Sequence, residues 1–177
     1  MVTTVVTGDL GSRIVTSRGA TVIHTLTGSK FVCEEMNHME AGEFLLGYEE
    51  SHGYIGGMHI RDKDGVLAAM LLCETAAWHK TQGKTLLDAL EDLYQEYGYY
   101  IDEQDSFVFE GAKGAKEMQK IMARLRSRRG SVFAPLGKPD KMLDYEKGVD
   151  ELPRSNVLKF FFPQRILGRS AAIRDGT

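Results

Sequence analysis

The sequence predicts an α/β protein: a mixed-sheet α/β/α domain over residues 1–103, then a partial α+β domain over residues 104–177. Three observations lead there. Short β-branched runs alternate with helical patterns through the first hundred residues. The composition shifts near Gln104. Glycine is frequent, 19 of 177 residues against an average usage of ~7%, which calls for many turns and close backbone approaches.

The elements follow in order. Thr3–Thr7 (TTVVT) is β-branched and reads as a strand. Asp9 is placed to cap a helix carrying Leu10, Ile14 and Val15, with Gly19 to end it. Ala20–Thr25 reads as a second strand, Thr27-Gly28-Ser29 as a turn, and Lys30 to Met39 as a short helix. Phe44–Tyr48 is a third strand, and a glycine-rich loop runs from Glu49 to Asp62. Val66–Ala77 (VLAAMLLCETAA) is apolar or small at nearly every position, so a helix packed between other elements is expected, capped by Asp62 or Asp64. Leu86, Leu87, Leu90, Leu93, Tyr94 and Tyr97 recur at helical spacing. Thr85 with Asp88 forms a capping box ahead of them, and Gly98 closes the helix. Beyond the boundary, Asp105–Phe109 reads as a strand and Lys113–Arg128 as an amphipathic helix. Residues 131–152 read as a polar connection broken by Pro135, Gly137 and Pro139. Asn156–Phe162 reads as a strand. Trp78 is expected in the core.

Charge and composition exclude several functional classes. The formal net charge is −3, from 22 basic and 25 acidic residues, which does not suit a strongly basic nucleic-acid binder. Mean hydropathy is −0.26, and no apolar run approaches the ~20 residues of a membrane span. The first residues carry no secretory pattern. Cys33 and Cys73 are too few for a disulfide framework and point to reduced thiols in the cytoplasm. The helix near Lys113–Arg129 holds seven bases and one acid, Glu117. Without interleaved aromatics it reads as a solvated outer face, so no nucleic-acid partner and no membrane partner is expected.

Chemistry concentrates in three loops. Gly47-Tyr48-Glu49-Glu50-Ser51-His52-Gly53 leaves a strand and enters the glycine-rich segment, at the strand end where α/β ligand sites lie. A carboxylate can accept from two vicinal sugar hydroxyls while a serine gives a third bond. On spacing alone, a solvated turn remains the leading reading. Glu49, Glu50, His52 and His59 match no standard metal-ligand spacing, so no metal is assigned to this chain. Arg61-Asp62-Lys63-Asp64-Gly65 reads first as a helix cap with surface ion pairs. Lys30, in Thr27-Gly28-Ser29-Lys30, could face an anion at a helix start, but this turn lacks the glycines of a phosphate loop.

Taken in order, TLTGSK, GYEESHGYIGG, HIRDKDGVLAAMLL and LYQEYGYY resemble the third domain of the α-D-phosphohexomutases, the phosphoglucomutase branch with phosphomannomutase relatives. The resemblance covers Val2 to Tyr100 and resumes at Leu152–Phe160. It implies a phosphohexose mutase that interconverts hexose 1-phosphate and 6-phosphate through a bisphosphate intermediate. It also implies that Glu49 and Ser51, with Glu50 between them, hold the sugar hydroxyls. Lys30 would face the active site, and Arg61 and Lys63 would lie near the cleft. Tyr48 stands where many members have glycine. The family's phosphoserine loop and Asp-rich magnesium loop do not occur in this sequence, so no catalytic residue is assigned and the chain alone is expected to be inactive. Mg2+ and glucose 1,6-bisphosphate would serve the parent enzyme, with none bound by this chain. Its partners would be a hexose phosphate and the missing N-terminal mutase domains. A non-catalytic sugar-phosphate-binding or interaction module is the alternative.

The tail Pro163–Thr177 (PQRILGRSAAIRDGT) departs from the family pattern. Its codons can be chosen so that a shift of one nucleotide reads RSGSWAAVRPSGTE, the continuation that the family's fourth domain has. A frameshift near the codons for Phe160–Phe162 is therefore expected, with Pro163–Thr177 poorly packed.

Overall fold

The computed structural model describes residues 1–40, 42–129, 138–163 and 169–174, the last group with side chains from 172 onward. It contains two compact units, Met1–Ile101 and Asp102–Thr177.

In the first unit the chain forms β1 (Val2–Thr4), α1 (Leu10–Ser17), β2 (Ile23–Thr25), α2 (Ser29–Met36), β3 (Leu46–Tyr48), β4 (Tyr54–Gly56), α3 (Gly65–Thr81) and α4 (Leu86–Tyr97). The sheet order is β2-β1-β3-β4. β1 pairs in parallel with β2 and β3, and β4 returns antiparallel to β3. Parallel neighbours require crossovers, and α1 and α2 supply them. As a result the carboxyl ends of β1, β2 and β3 lie along one edge.

Alternation divides the packing between the two faces. Val2, Val32, Met36, Phe44 and Ile55 form the core on the α2 side. Gly47 is pressed against it: a Cβ there would lie 2.6 Å from Val32 Cγ1. The next residue after Ile55 on β4, Gly56, faces the other way, and its missing side chain admits Leu67 and Leu71 of α3. Helices therefore cover both faces of a mixed sheet, the α/β/α arrangement expected.

Helix ends follow the sequence closely at two places. Asp64 accepts from the Val66 and Leu67 amides, and Thr85 and Asp88 form the reciprocal capping box. Asp9 stands at the N-cap of α1 but makes no side-chain cap bond, because its backbone is already helical.

Three expectations are corrected in this unit. The glycine-rich segment contains a strand, β4, that its glycines concealed. α3 is not packed on most faces: Val66 is 82% exposed and Leu72 58%, and no residue of the helix is buried. Trp78 is 59% exposed rather than core, with its ring edge-on to His79 at 4.7 Å. Composition reveals that a helix could be buried on every side, but only the fold supplies the neighbours.

The second unit contains α5 (Gly111–Arg128), β5 (Lys141–Asp144), β6 (Val157–Phe162) and β7 (Arg169–Arg174). The three strands form an antiparallel sheet with β6 in the middle. Met122 and Leu125 of α5 pack on Leu158, Phe160 and Phe162, and the basic residues expected on its outer face are exposed apart from half-buried Arg126. Asp105–Phe109 is not a strand. It has no partner strand among the described residues, and Phe107 and Val108 are 76% and 85% exposed. β propensity without a partner does not make a strand. β5 arises inside the stretch expected to be a polar connection, of which Pro135 and Gly137 lie outside the described residues.

The expected poor packing of the tail is corrected for residues 169–174. Residues 169–174 pair along the whole of β6, from Phe162↔Arg169 to Val157↔Arg174. Strand pairing uses main-chain groups, so a stretch without β alternation can complete it, and Ile173 is half buried against the core. Residues 164–168 and 175–177 of the expected tail lie outside the described residues.

Candidate functional site

The site is built at the shared carboxyl edge of β1, β2 and β3. The β3–β4 connection, Glu49–Gly53, is a tight five-residue loop in which the Glu49 amide donates to the Gly53 carbonyl at 2.9 Å. His52 takes the left-handed conformation, φ 61°, that lets so short a loop turn.

Glu49 is 4% exposed. Its Oε1 accepts from the Gly28 amide at 2.6 Å, and its Oε2 faces Lys63 Nζ at 2.5 Å. Gly28 precedes α2, so the carboxylate also sits at the positive end of that helix. Gly53 is the third party. A Cβ there would lie 2.5 Å from Lys63 Cε and 2.7 Å from Glu49 Oε2.

Glu50 turns the other way. Thr4 and Thr7 hydroxyls donate to its Oε2 at 2.8 and 3.2 Å, and the Thr27 hydroxyl approaches Oε1 at 3.5 Å. Its own amide donates to Thr7 Oγ1 at 3.2 Å. The two neighbouring carboxylates thus reach consecutive residues of one turn, Gly28 and Thr27. Ser51 and His52 are exposed at the loop tip.

The basic residues are placed differently from one another. Lys63 lies on Glu49. The Arg61 guanidinium donates to the Cys33 carbonyl and to Asn37 Oδ1, which ties it to α2. Lys30 is exposed, with its ammonium 4.7 Å from the Phe31 ring centre. Asp62 joins the segments again: its Oδ1 accepts from the Lys63 amide at 2.8 Å and the Ser29 hydroxyl at 3.1 Å. Those two bonds, the amide's first, hold the Asp62 carboxyl below its ordinary value. Burial, and then the charge of Asp62, push the Cys33 thiol up.

Of the six residues singled out from the sequence, the fold brings Glu49, Glu50 and Lys63 into one network with the Thr27–Lys30 turn. Ser51 stands beside it on the surface, while Arg61 and Lys30 engage α2 and Phe31. Sequence reasoning missed Thr4 and Thr7, and it placed Thr27, Gly28, Gly53 and Asp62 in the three loops without giving them a part in the network. The threonines of TTVVT register as β-branched, and nothing local marks their hydroxyls as partners of a carboxylate 43 to 46 residues away. No group of three or more His, Cys, Asp or Glu side chains suited to a metal occurs among the described residues.

Residues 1–97 match the model of the phosphoglucomutase/phosphomannomutase α/β/α domain III. The chain belongs to this family. It is also similar to the phosphoglucomutase of Staphylococcus haemolyticus (strain JCSC1435), 32% identical over 176 residues, which covers 93% of this chain and 32% of that protein. The phosphoglucomutase of Staphylococcus saprophyticus subsp. saprophyticus is likewise 32% identical, over 92% of this chain and 32% of its own length. That of Staphylococcus aureus (strain bovine RF122 / ET3-1) is 33% identical over 72% of this chain and 23% of its own. The chain thus spans about a third of the length of the first two relatives. As a phosphoglucomutase/phosphomannomutase family member it is similar to domain III in the unit that carries Glu49 and Lys63. No helix among the described residues is long and apolar enough to cross a membrane.

Proposed function

We propose that this chain supplies the sugar-recognition part of a phosphoglucomutase-like phosphohexose mutase, which interconverts hexose 1-phosphate and 6-phosphate through a bisphosphate intermediate. The observation that carries the reading is the convergence of three separate segments, Thr27–Lys30, Glu49–Gly53 and Asp62–Lys63, on the Glu49 carboxylate. The relatives' name, phosphoglucomutase, supports the same class.

Glu49 suits vicinal hydroxyls. An ionised carboxylate offers about four lone-pair sites, and Gly28 and Lys63 occupy two. Glu49 Oε2 is buried, so hydroxyl groups would reach it by taking the place of Lys63, whose side chain is 43% exposed. Ser51, exposed two residues on, supplies the third contact. Lys30, Arg61 and Lys63 are the basic residues that this reading assigns to a phosphate-bearing sugar, and Glu49, Glu50 and Asp62 are the carboxylates beside them.

The rest of the chemistry belongs elsewhere. The sequence has neither the phosphoserine loop nor the Asp-rich magnesium loop that the family resemblance implies. The 177-residue chain alone is therefore proposed to be inactive. Glucose 1,6-bisphosphate and the metal would act with the N-terminal domains of a complete enzyme, in the cytoplasm. Phosphomannomutase activity is the neighbouring specificity.

Titrating the labelled chain with glucose 1-phosphate and mannose 1-phosphate, each to about ten millimolar, tests the reading by NMR. Perturbation centred on the Glu49–Gly53 amides is expected, with no mutase turnover. Silence at those amides would overturn the sugar site, and turnover would overturn the inactivity.

A further inference from the structure

We propose that Glu50 is a positioning residue, whose carboxylate anchors the sugar loop to the ends of β1 and β2 so that Glu49 and Ser51 hold one presentation. The inference rests on the sugar-site reading above and assigns Glu50 a role different from that of its neighbours.

The geometry separates the two acids. Glu49 faces Lys63 and the Gly28 amide. Glu50 receives the Thr4 and Thr7 hydroxyls and lies within 3.5 Å of the Thr27 hydroxyl. Thr4 and Thr7 are themselves buried, 0% and 8% exposed, and their hydroxyls lie 2.8 Å apart. Threonine has one proton to donate and two lone pairs, so its χ1, already restricted by β-branching, is fixed further when both functions are used. Thr7 Oγ1 meets Glu50 twice, donating to its carboxylate and accepting from its amide. A loop of five residues has little freedom left once its second residue is held at both backbone and side chain. Because Glu50 reaches Thr27 and Glu49 reaches Gly28, fixing one acid fixes the other against the same turn.

The test uses the whole 177-residue chain and two readouts, amide hydrogen exchange without ligand and affinity for glucose 1-phosphate. Thr7→Val keeps the shape and removes the hydroxyl. Exchange at Glu49, Glu50 and Gly28, whose amides are bonded to the Gly53 carbonyl, Thr7 Oγ1 and Glu49 Oε1, should quicken at least tenfold in Thr7→Val and in Glu50→Ala, with affinity weakened at least tenfold in both. Glu50→Gln, which can still accept from threonine hydroxyls, should restore both to within threefold of the parent. Unchanged exchange in Thr7→Val overturns the anchor. So does a Glu50→Gln variant that keeps slow exchange but loses affinity, because Glu50 would then touch the sugar itself. If the parent chain binds no glucose 1-phosphate, the sugar-site reading fails, while the exchange comparison still decides whether Glu50 anchors the loop. If Glu50→Ala does not fold, the isosteric Thr7→Val carries the test.

Discussion

Glu49 and Lys63 meet at 2.5 Å beside Gly53, and the pair fits only because residue 53 has no side chain. The lysine stem lies where a Cβ would be. The buried carboxylate has little room to retreat, since its other oxygen is bonded to the Gly28 amide.

Gly53→Ala should therefore break the pair. The lysine end is flexible and can swing into solvent, but Glu49 Oε2 cannot move without losing Gly28. Overpacking of this kind costs about 1–3 kcal/mol. Urea denaturation of the chain should register that loss, together with changed amide shifts at Gly28. A variant with an unchanged midpoint and an unchanged Gly28 amide would show that the contact is looser than described.

The exposed side of α3 leads to the opposite expectation. Leu72 is 58% exposed, and surface substitutions usually stay within about ±0.5 kcal/mol. Leu72→Glu should leave the unfolding midpoint of the isolated chain where it was. A loss of more than about 2 kcal/mol, the scale of a buried leucine, would mean that α3 is covered in solution.

In the second unit, Arg126 Nε lies 3.1 Å from Asp144 and 3.1 Å from Glu146. Asp144 is 7% exposed, so deleting the arginine strands a buried charge. Full burial would cost about 3–5 kcal/mol, but Lys147 Nζ at 3.8 Å offers partial compensation. Arg126→Met should lower the stability of the second unit by about 2 kcal/mol, read from guanidinium unfolding followed at Tyr145. Equal midpoints would remove the pair from the stability of that sheet.

Acidification should loosen the Ser29–Asp62 contact. The Asp62 carboxyl is held below its ordinary value by the Lys63 amide and the Ser29 hydroxyl. A depressed folded-state value contributes stability above the unfolded value of about 3.9. That contribution is lost as pH falls through the folded-state value. Carbon-13 titration of the Asp62 carboxyl should give a midpoint below that of the urea-unfolded chain, and Ser29→Ala should raise it. Coincident folded and unfolded midpoints would refute the contact.

How much of this was legible in the sequence varies from element to element. α4 was legible because its signals are local: leucines at helical spacing, a Thr85–Asp88 box and a glycine after Tyr97. β4 was hidden, because Gly53, Gly56 and Gly57 read as loop, while Gly56 serves a strand by making room for Leu67. β5 lay unseen in a polar stretch, since a strand at the edge of a sheet takes its order from its partner, β6. Glu49 was legible as a candidate through the segment that contains it. Its ion pair with Lys63 was not, because that contact depends on the β3–β4 return bringing residue 63 back to residue 49.

The sequence by itself determined which residue types were present at each strand end and helix start, because those signals act over three or four residues. It also determined the family, through the order of four short segments. Only the tertiary structure decided that α3 would lie largely exposed and that residues 169–174 would complete a sheet. It alone decided that two adjacent glutamates would face different partners. Burial and pairing depend on neighbours distant in sequence, and in the first unit the parallel crossovers set those distances.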